Sequence, residues 1–123
     1  MRQSTKKLTA NAFARSLQRL EERHRNLLRD LDSIGLVLRG TIGKRMTRCG
    51  KPTCACHADP PALHGPYYLW TRKVAAKTVT VRLLPEHAAL LQGWNRNMRK
   101  LDRLVRNLQQ LGLRAADAVT RSA

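Results

Sequence analysis

The three cysteines of this chain, Cys49, Cys54 and Cys56, lie within eight residues, and His64 follows eight positions after the last of them. Clustered thiols in a chain that starts without the apolar core of a secretory signal suggest redox chemistry or a bound metal. Three thiolates and one imidazole form a closed tetrahedral set for zinc, and such a set is structural rather than catalytic. We therefore predict a structural zinc site formed by Cys49, Cys54, Cys56 and His64.

The spacing of these residues leaves alternatives open. The pattern C-x4-C-x-C-x7-H is looser than the common zinc-finger spacings. His57 is the rival fourth ligand, although its position next to Cys56 would strain the backbone if both bound one ion. Three reduced cysteines without metal, or one disulfide that leaves a free thiol, are the other interpretations.

The residues around the cysteines offer little for catalysis. A zinc deaminase needs H-x-E with P-C-x-x-C, and neither motif is present. A hydrolytic zinc site needs an open coordination position and a nearby base, but Asp59 is the only carboxylate between residues 39 and 82. Cys54 paired with His64 is the one arrangement that fits a thiol nucleophile. We expect a protein that is not an enzyme and has no small-molecule substrate.

Charge is the strongest global feature of the sequence. The chain has 24 Lys and Arg against eight Asp and Glu, a formal net charge of +16, and nine of the basic residues lie between residues 39 and 82. This excess predicts binding to polyanions. Nucleic acid is the expected partner, with DNA favoured over RNA, and an anionic membrane surface or an acidic protein is the alternative. We expect a cytoplasmic, nucleoid-associated protein that does not enter membranes.

The candidate nucleic-acid contacts fall into two groups. Basic side chains near the cysteines and along the predicted strands would contact phosphates: Lys44, Arg45, Arg48, Lys51, Arg72, Lys73 and Lys77. Tyr68 and Trp70 would stack on bases, because aromatics among basic residues suit nucleic acid. Their alternative role is to supply the core of a small sheet, since the chain has only five aromatic residues.

A first long helix is predicted for residues 9–34. Apolar positions from Phe13 to Ile34 alternate in steps of four and three, which is heptad spacing with His24 as its one polar member. Thr9 or Asn11 can cap the start of the helix. The preceding residues 1–8 form a basic arm.

A second long helix is predicted for residues 86–111, with the same steps from Leu91 to Leu108. Gly112 is expected to end it, because glycine is common just beyond helix ends. Residues 112–123 would then form a tail.

Residues 36–84 have the pattern of a small sheet around the metal loop. Segments 37–48, 67–72 and 78–83 are rich in strand-forming residues, and residues 73–77 form a turn between the last two. The predicted fold class is α+β: an antiparallel helical hairpin that carries a three-stranded antiparallel sheet and the zinc loop at its tip. Two helices bury little surface, so we expect a homodimer or docking to a larger protein.

The middle of the chain also carries two specific motifs, C-G-K-P-T-C-A-C at residues 49–56 and H-G-P-Y-Y at residues 64–68, followed by the hairpin from Lys73 to Thr78. Together they resemble a bacterial family of domains of unknown function over about residues 36–111. The loop between the motifs is longer here than in that family. The resemblance implies an association with recombinases or transposases of mobile elements, and it implies no role for individual residues.

Two functions follow from these observations. The first is a zinc-stabilised DNA-binding accessory protein that assists a recombinase or transposase. The alternative is a coiled-coil adaptor or oligomerisation subunit whose main partner is a protein.

Overall fold

A computed structural model describes residues 9–122, so the predicted basic arm at residues 1–8 lies outside the described residues. The elements in chain order are helix α1 (Ala10–Asp32), strands β1 (Thr41–Thr47), β2 (His64–Val74) and β3 (Lys77–Leu83), and helix α2 (Pro85–Ser122). The predicted α+β class and the three-stranded antiparallel sheet are confirmed. The antiparallel pairing of the two helices remains a prediction.

The chain divides into two compact units. The helical unit contains α1 and the part of α2 from Arg99 onward. The sheet unit comprises Leu36–Met98 and therefore holds the three strands, the metal loop and the first turns of α2.

Helix α1 begins directly after Thr9, one of the two residues that the sequence offers as its N-cap. The backbone N–H of Ala12 donates to Oγ1 of Thr9 at 3.1 Å, so Thr9 rather than Asn11 is the N-cap. No residue of α1 is buried, and Leu28 and Leu31 are 42% and 39% exposed. Earlier apolar residues such as Leu17 and Leu20 are half-buried, so the apolar face of α1 is open to solvent mainly near its C-terminal end.

Helix α2 corrects two expectations. It continues through Gly112 to Ser122, so the predicted tail is helical. Glycine within a helix costs about 1 kcal/mol, and the helix-favouring residues 113–118 that follow, with Ala118 buried, offset this cost. The heptad steps from Leu91 to Leu108 include Val105 among the apolar residues that should pack, but Val105 is 55% exposed and its neighbour Leu104 is buried.

The strands pair in the order β1-β2-β3. The β2–β3 turn is the dipeptide Ala75-Ala76, whose φ angles of 50° and 66° are those of the two-residue turn that suits the twist of a hairpin. Because paired residues share a face, the register defines two faces. The inner face includes Ile42, Tyr68 and Trp70, and the outer face includes Arg45, Tyr67, Leu69 and Arg82.

The inner face of the sheet packs against the start of α2. Tyr68 and Ile42 line one cavity together with Pro85 and Ala88, and Ala88 is buried. The first turns of α2 thus cover the inner face around Ile42 and Tyr68, whereas Val81 on the same face is exposed. The outer face lies on the other side of the sheet.

The segment before β1 is held to α2 by side-chain amides. Nδ2 of the buried Asn95 donates to the carbonyl oxygens of Leu38 at 3.0 Å and Gly40 at 2.8 Å. Nδ2 of Asn97 donates to the carbonyl oxygen of Leu36 at 2.8 Å. These bonds satisfy backbone acceptors that no strand partner reaches. They fix where β1 begins.

Among the described residues, neither helix contains an apolar stretch long enough to cross a bilayer.

Candidate metal centre

The four predicted zinc ligands come from three short segments that the β1–β2 pairing brings together. Thr47 of β1 pairs with His64, the first residue of β2, and Cys49 follows two residues after Thr47. Cys54 and Cys56 lie in the connecting loop, which contains a single 3-10 turn at Ala55–His57. The sheet therefore fixes one thiol and the imidazole, and the loop folds back to supply the other two thiols.

The ligand atoms of all four residues lie within 4.8 Å of one another. The Sγ atoms of Cys49 and Cys56 are 3.6 Å apart, and Sγ of Cys54 is 3.4 Å from Nε2 of His64. Bond lengths of about 2.3 Å for sulfur and about 2.0 Å for nitrogen in a tetrahedral site place neighbouring ligand atoms about 3.5–3.8 Å apart. The two distances of 3.6 and 3.4 Å are close to this spacing, so the cluster can hold a metal ion with small adjustments.

The structure brings His64, and not His57, into the cluster. The ring of His57 is exposed, and its Nε2 donates to the carbonyl oxygen of Cys49 at 2.7 Å. His57 therefore closes the loop around the cluster from outside.

Further hydrogen bonds hold the loop in shape. The backbone N–H of Cys49 donates to Sγ of Cys56 at 3.3 Å, and Nε of Arg48 donates to the carbonyl oxygen of Cys56 at 3.1 Å. Cys56 is fully buried, whereas Cys49 and Cys54 are half-buried. All three cysteines are free thiols. The disulfide interpretation has no support among the described residues.

The surroundings shift two of the thiols in opposite directions. The pKa of Cys54 is lowered from 9.0 to about 6, first by a backbone hydrogen bond from Cys56 and then by the thiols of Cys56 and Cys49 and the ring of His64. Burial raises the pKa of the Cys56 thiol. The loop thus favours thiolate at Cys54, while Cys56 must lose its proton when a metal ion binds.

Gly65 allows the chain to turn immediately after His64. Its φ of 124° lies in a region that side chains rarely adopt, and a Cβ there would lie 2.8 Å from the carbonyl oxygen of Arg45. The pairing of β1 and β2 is also irregular between Arg45 and Thr47. The local irregularity therefore helps to direct the imidazole toward the cysteines.

The arrangement is that of a closed site. The short distance between Cys54 and His64 would also suit a thiol nucleophile with its base. However, Cys49 and Cys56 converge on the same point, and four protein ligands leave no position for substrate. The geometry favours a structural metal over catalysis.

The predicted phosphate contacts are mostly exposed. Exposed members of the set are Lys44, Arg45, Arg48, Lys51, Lys73 and Lys77. Arg48 already donates to the loop, and Nζ of Lys73 donates to Oγ1 of Thr78 at 2.9 Å. Arg72 is half-buried, with its guanidinium carbon 3.9 Å from the centroid of the Trp70 ring.

The predicted stacking residues lie on the covered side of the sheet. Tyr68 lines the cavity with the start of α2, and Nε1 of Trp70 donates to the carbonyl oxygen of Arg39 at 3.0 Å. Both side chains are half-buried. Their placement favours the packing role that the sequence left open over the stacking role.

The sequence reasoning missed a pair on the outer face. The guanidinium carbon of Arg82 lies 3.6 Å from the centroid of the Tyr67 ring, and Arg45 pairs with Tyr67 across β1 and β2. The alternation of residues 78–83 shows that Arg82 shares a face with Thr78 and Thr80. Only the register, which pairs Arg82 with Leu69, shows that this face also holds Tyr67 and Arg45.

Comparison with known families matches residues 17–92 to the model of a domain of unknown function, DUF6788. The match covers more than half of the chain, so the protein belongs to this family. No curated protein and no solved structure matches it.

Proposed function

For this member of the DUF6788 family, we propose a zinc-stabilised, nucleic-acid-binding accessory protein that acts on DNA and assists a recombinase or transposase. The observation that carries the proposal is the charge of the sheet unit. This unit holds ten Lys and Arg against two carboxylates, Asp59 and Glu86. Such an excess in a small unit suits a polyanion.

Zinc is the metal that fits the ligand set best. Three thiolates and one imidazole are soft to borderline ligands, and a tetrahedral arrangement of sulfur and nitrogen is typical of zinc. In this role the metal holds the loop between β1 and β2 without taking part in a reaction. The proposal assigns no catalytic step to the protein.

The outer face of the sheet is the proposed nucleic-acid surface. It carries Arg45, Lys73 and Arg82, and Tyr67 supplies an aromatic ring among them. Threonine hydroxyls occupy several positions between these residues, as at the pair Thr71 and Thr80. Basic groups with one aromatic ring suit a backbone contact with a stacked base.

Fluorescence anisotropy with labelled duplex DNA, single-stranded DNA and RNA over a salt series tests this surface. Each phosphate contact contributes about 0.9 to the slope of log K against log salt on duplex DNA. The double substitution Arg45→Gln/Arg82→Gln is therefore expected to reduce the slope by about two units.

A matched control removes the same charge from the helical unit. Arg103 and Arg106 are exposed on α2, and Arg103→Gln/Arg106→Gln should leave the slope close to the wild-type value. Equal losses in the two double variants would contradict the outer face as the binding surface. Weak binding that disappears near physiological salt in the wild type would contradict the function itself.

The alternative function, a helical adaptor, is supported by the apolar surface of the helical unit. Leu28, Leu31, Val105, Leu113 and Val119 are all exposed large apolar residues. Such residues on two helices suit a second copy of the chain or a larger partner. We propose that this unit either forms a homodimer or docks to a recombinase. Sedimentation of the purified protein separates the two, because a dimer is expected in the first case and a monomer in the second.

Nucleoid association is part of the same proposal, because a DNA-binding protein with this charge would be found on the chromosome. Fluorescence microscopy of a tagged wild-type chain and of the Arg45→Gln/Arg82→Gln variant checks it.

A further inference from the structure

A cleft of about 600 Å³ lies in the sheet unit beside the start of β1. The last pair between β1 and β2 is Thr41 with Thr71, so β2 continues through Arg72 and Lys73 without a partner on that side. The cleft opens at this point. Its lining combines residues before β1 with residues of the β2–β3 hairpin, among them Arg39, Thr41, Trp70, Arg72, Lys73 and Thr78.

Arg72 is the least satisfied polar group of the cleft. Its guanidinium stacks on the Trp70 ring, and its Nη1 atom is buried without a hydrogen-bond partner among the described residues. A buried donor on a cation is costly when it lacks an acceptor. Trp70 cannot supply one, because the indole N–H is only a donor, and it donates to the Arg39 carbonyl oxygen.

The other polar groups of the cleft are also mostly donors. Lys73 donates from Nζ to Oγ1 of Thr78, which leaves the hydroxyl hydrogen of Thr78 to donate in turn. Neither carboxylate of the sheet unit, Asp59 or Glu86, lines the cleft. The cationic side chains of the cleft therefore favour a ligand with acceptor oxygens and negative charge.

We propose that this cleft binds one phosphodiester group of a nucleic-acid strand, with Arg72 as its charged donor. The inference rests on the proposed function and adds a specific phosphate site to it. Two phosphate oxygens match the paired N–H groups of a guanidinium. The stacking contact with the Trp70 ring fixes the plane of the guanidinium.

The test uses the fluorescence of Trp70 in the full chain carrying Trp94→Phe, which leaves Trp70 as the single tryptophan. Inorganic phosphate and a single-stranded oligonucleotide are titrated separately at low salt. Both ligands are expected to change the Trp70 emission, and Arg72→Gln should abolish the change and weaken oligonucleotide binding about tenfold.

Arg103→Gln is the matched control, because Arg103 is an exposed arginine of α2 that does not line the cleft. It should retain the phosphate-dependent change of Trp70 emission. Arg72→Lys keeps the charge but lacks the planar guanidinium, so it should bind with intermediate affinity, and this result would show that the loss in Arg72→Gln is not a folding defect. Equal responses of Arg72→Gln and Arg103→Gln would overturn the proposal.

The two ligands separate the possible failures. If the oligonucleotide binds and Trp70 emission stays constant with both ligands, the cleft proposal is wrong and the nucleic-acid function stands. If phosphate alone acts through Arg72 and no oligonucleotide binds, the phosphodiester proposal and the proposed function are both wrong, and the cleft is a site for a free phosphate group.

Discussion

The sheet unit and the helical unit maintain their structures by different means. In the sheet unit, the buried positions include Cys56, which belongs to the ligand cluster, and Asn95, which donates hydrogen bonds to backbone carbonyl oxygens. Among the described residues of the helical unit, the buried positions are Leu104 and Ala118, and α1 buries no residue. A small unit with a thin apolar core needs a metal or specific polar contacts, whereas an open apolar helix face needs a partner. The comparison predicts that single polar substitutions will affect the sheet unit far more than the helical unit.

The largest effect is expected for Cys56→Ser. Removing a buried thiolate from the cluster should abolish stoichiometric metal binding and with it a large part of the roughly 10 kcal/mol that structural zinc supplies in small metal-dependent domains. Amide hydrogen exchange should show the loop and sheet unprotected, while α1 stays helical. His57→Gln is the control that keeps the metal, and a folded, metal-free sheet unit in Cys56→Ser would contradict the prediction.

Asn95→Ala should have the next largest effect. It removes the two hydrogen bonds to the carbonyl oxygens of Leu38 and Gly40. Because these acceptors then lack their donor, the free energy of unfolding is expected to fall by about 3 kcal/mol. Urea denaturation measures the loss. Asn97→Ala removes a single hydrogen bond to Leu36 and should lower the free energy of unfolding by about 1 kcal/mol. Equal losses in the two variants would show that the burial and second hydrogen bond of Asn95 do not add to stability.

Gly65→Ala is expected to lower stability by about 2 kcal/mol, because its backbone conformation strains any side chain. The displaced His64 should also weaken metal affinity, which a competition titration with a chelator measures. Gly43→Ala provides the comparison within the same sheet, since a Cβ at Gly43 meets no atom within 4 Å. An unchanged metal affinity in Gly65→Ala would show that the position of His64 does not matter for metal binding.

The smallest effect concerns the helical unit. Thr9→Ala removes the acceptor of the Ala12 N–H and should destabilise the first turn of α1 by about 1 kcal/mol, with the sheet unit unaffected. Hydrogen exchange of the first turn measures this, and Thr9→Ser should restore protection. A loss in the sheet unit as large as that of Asn95→Ala would contradict the separation of the two units.

The metal ligands were predictable because their chemistry appears directly in the sequence. Three clustered cysteines and one histidine suffice to propose a tetrahedral set, and the pairing of β1 with β2 then places His64 among them. Position alone favoured His64 over His57, because Cys56 and His57 are adjacent and could bind one ion only with backbone strain. The structure adds the turn at Ala55–His57, which directs His57 to the Cys49 carbonyl oxygen.

The sheet was predictable to the level of its strands and their alternation. Alternation separates Tyr67 from Tyr68, but it does not show which face α2 covers, because that choice depends on packing between distant segments. Asn95 and Asn97 lie in a helical pattern where polar residues usually face solvent. No local signal in the sequence shows that their side chains donate hydrogen bonds to the segment before β1.

The metal content of the purified chain, measured by native mass spectrometry without added metal, is the decisive test of the zinc site. We expect one zinc per chain in the wild type and in His57→Gln, and none in Cys56→Ser. A wild-type chain that carries no metal, and whose sheet unit is as well protected from exchange as that of a zinc-loaded sample, would contradict a structural zinc site.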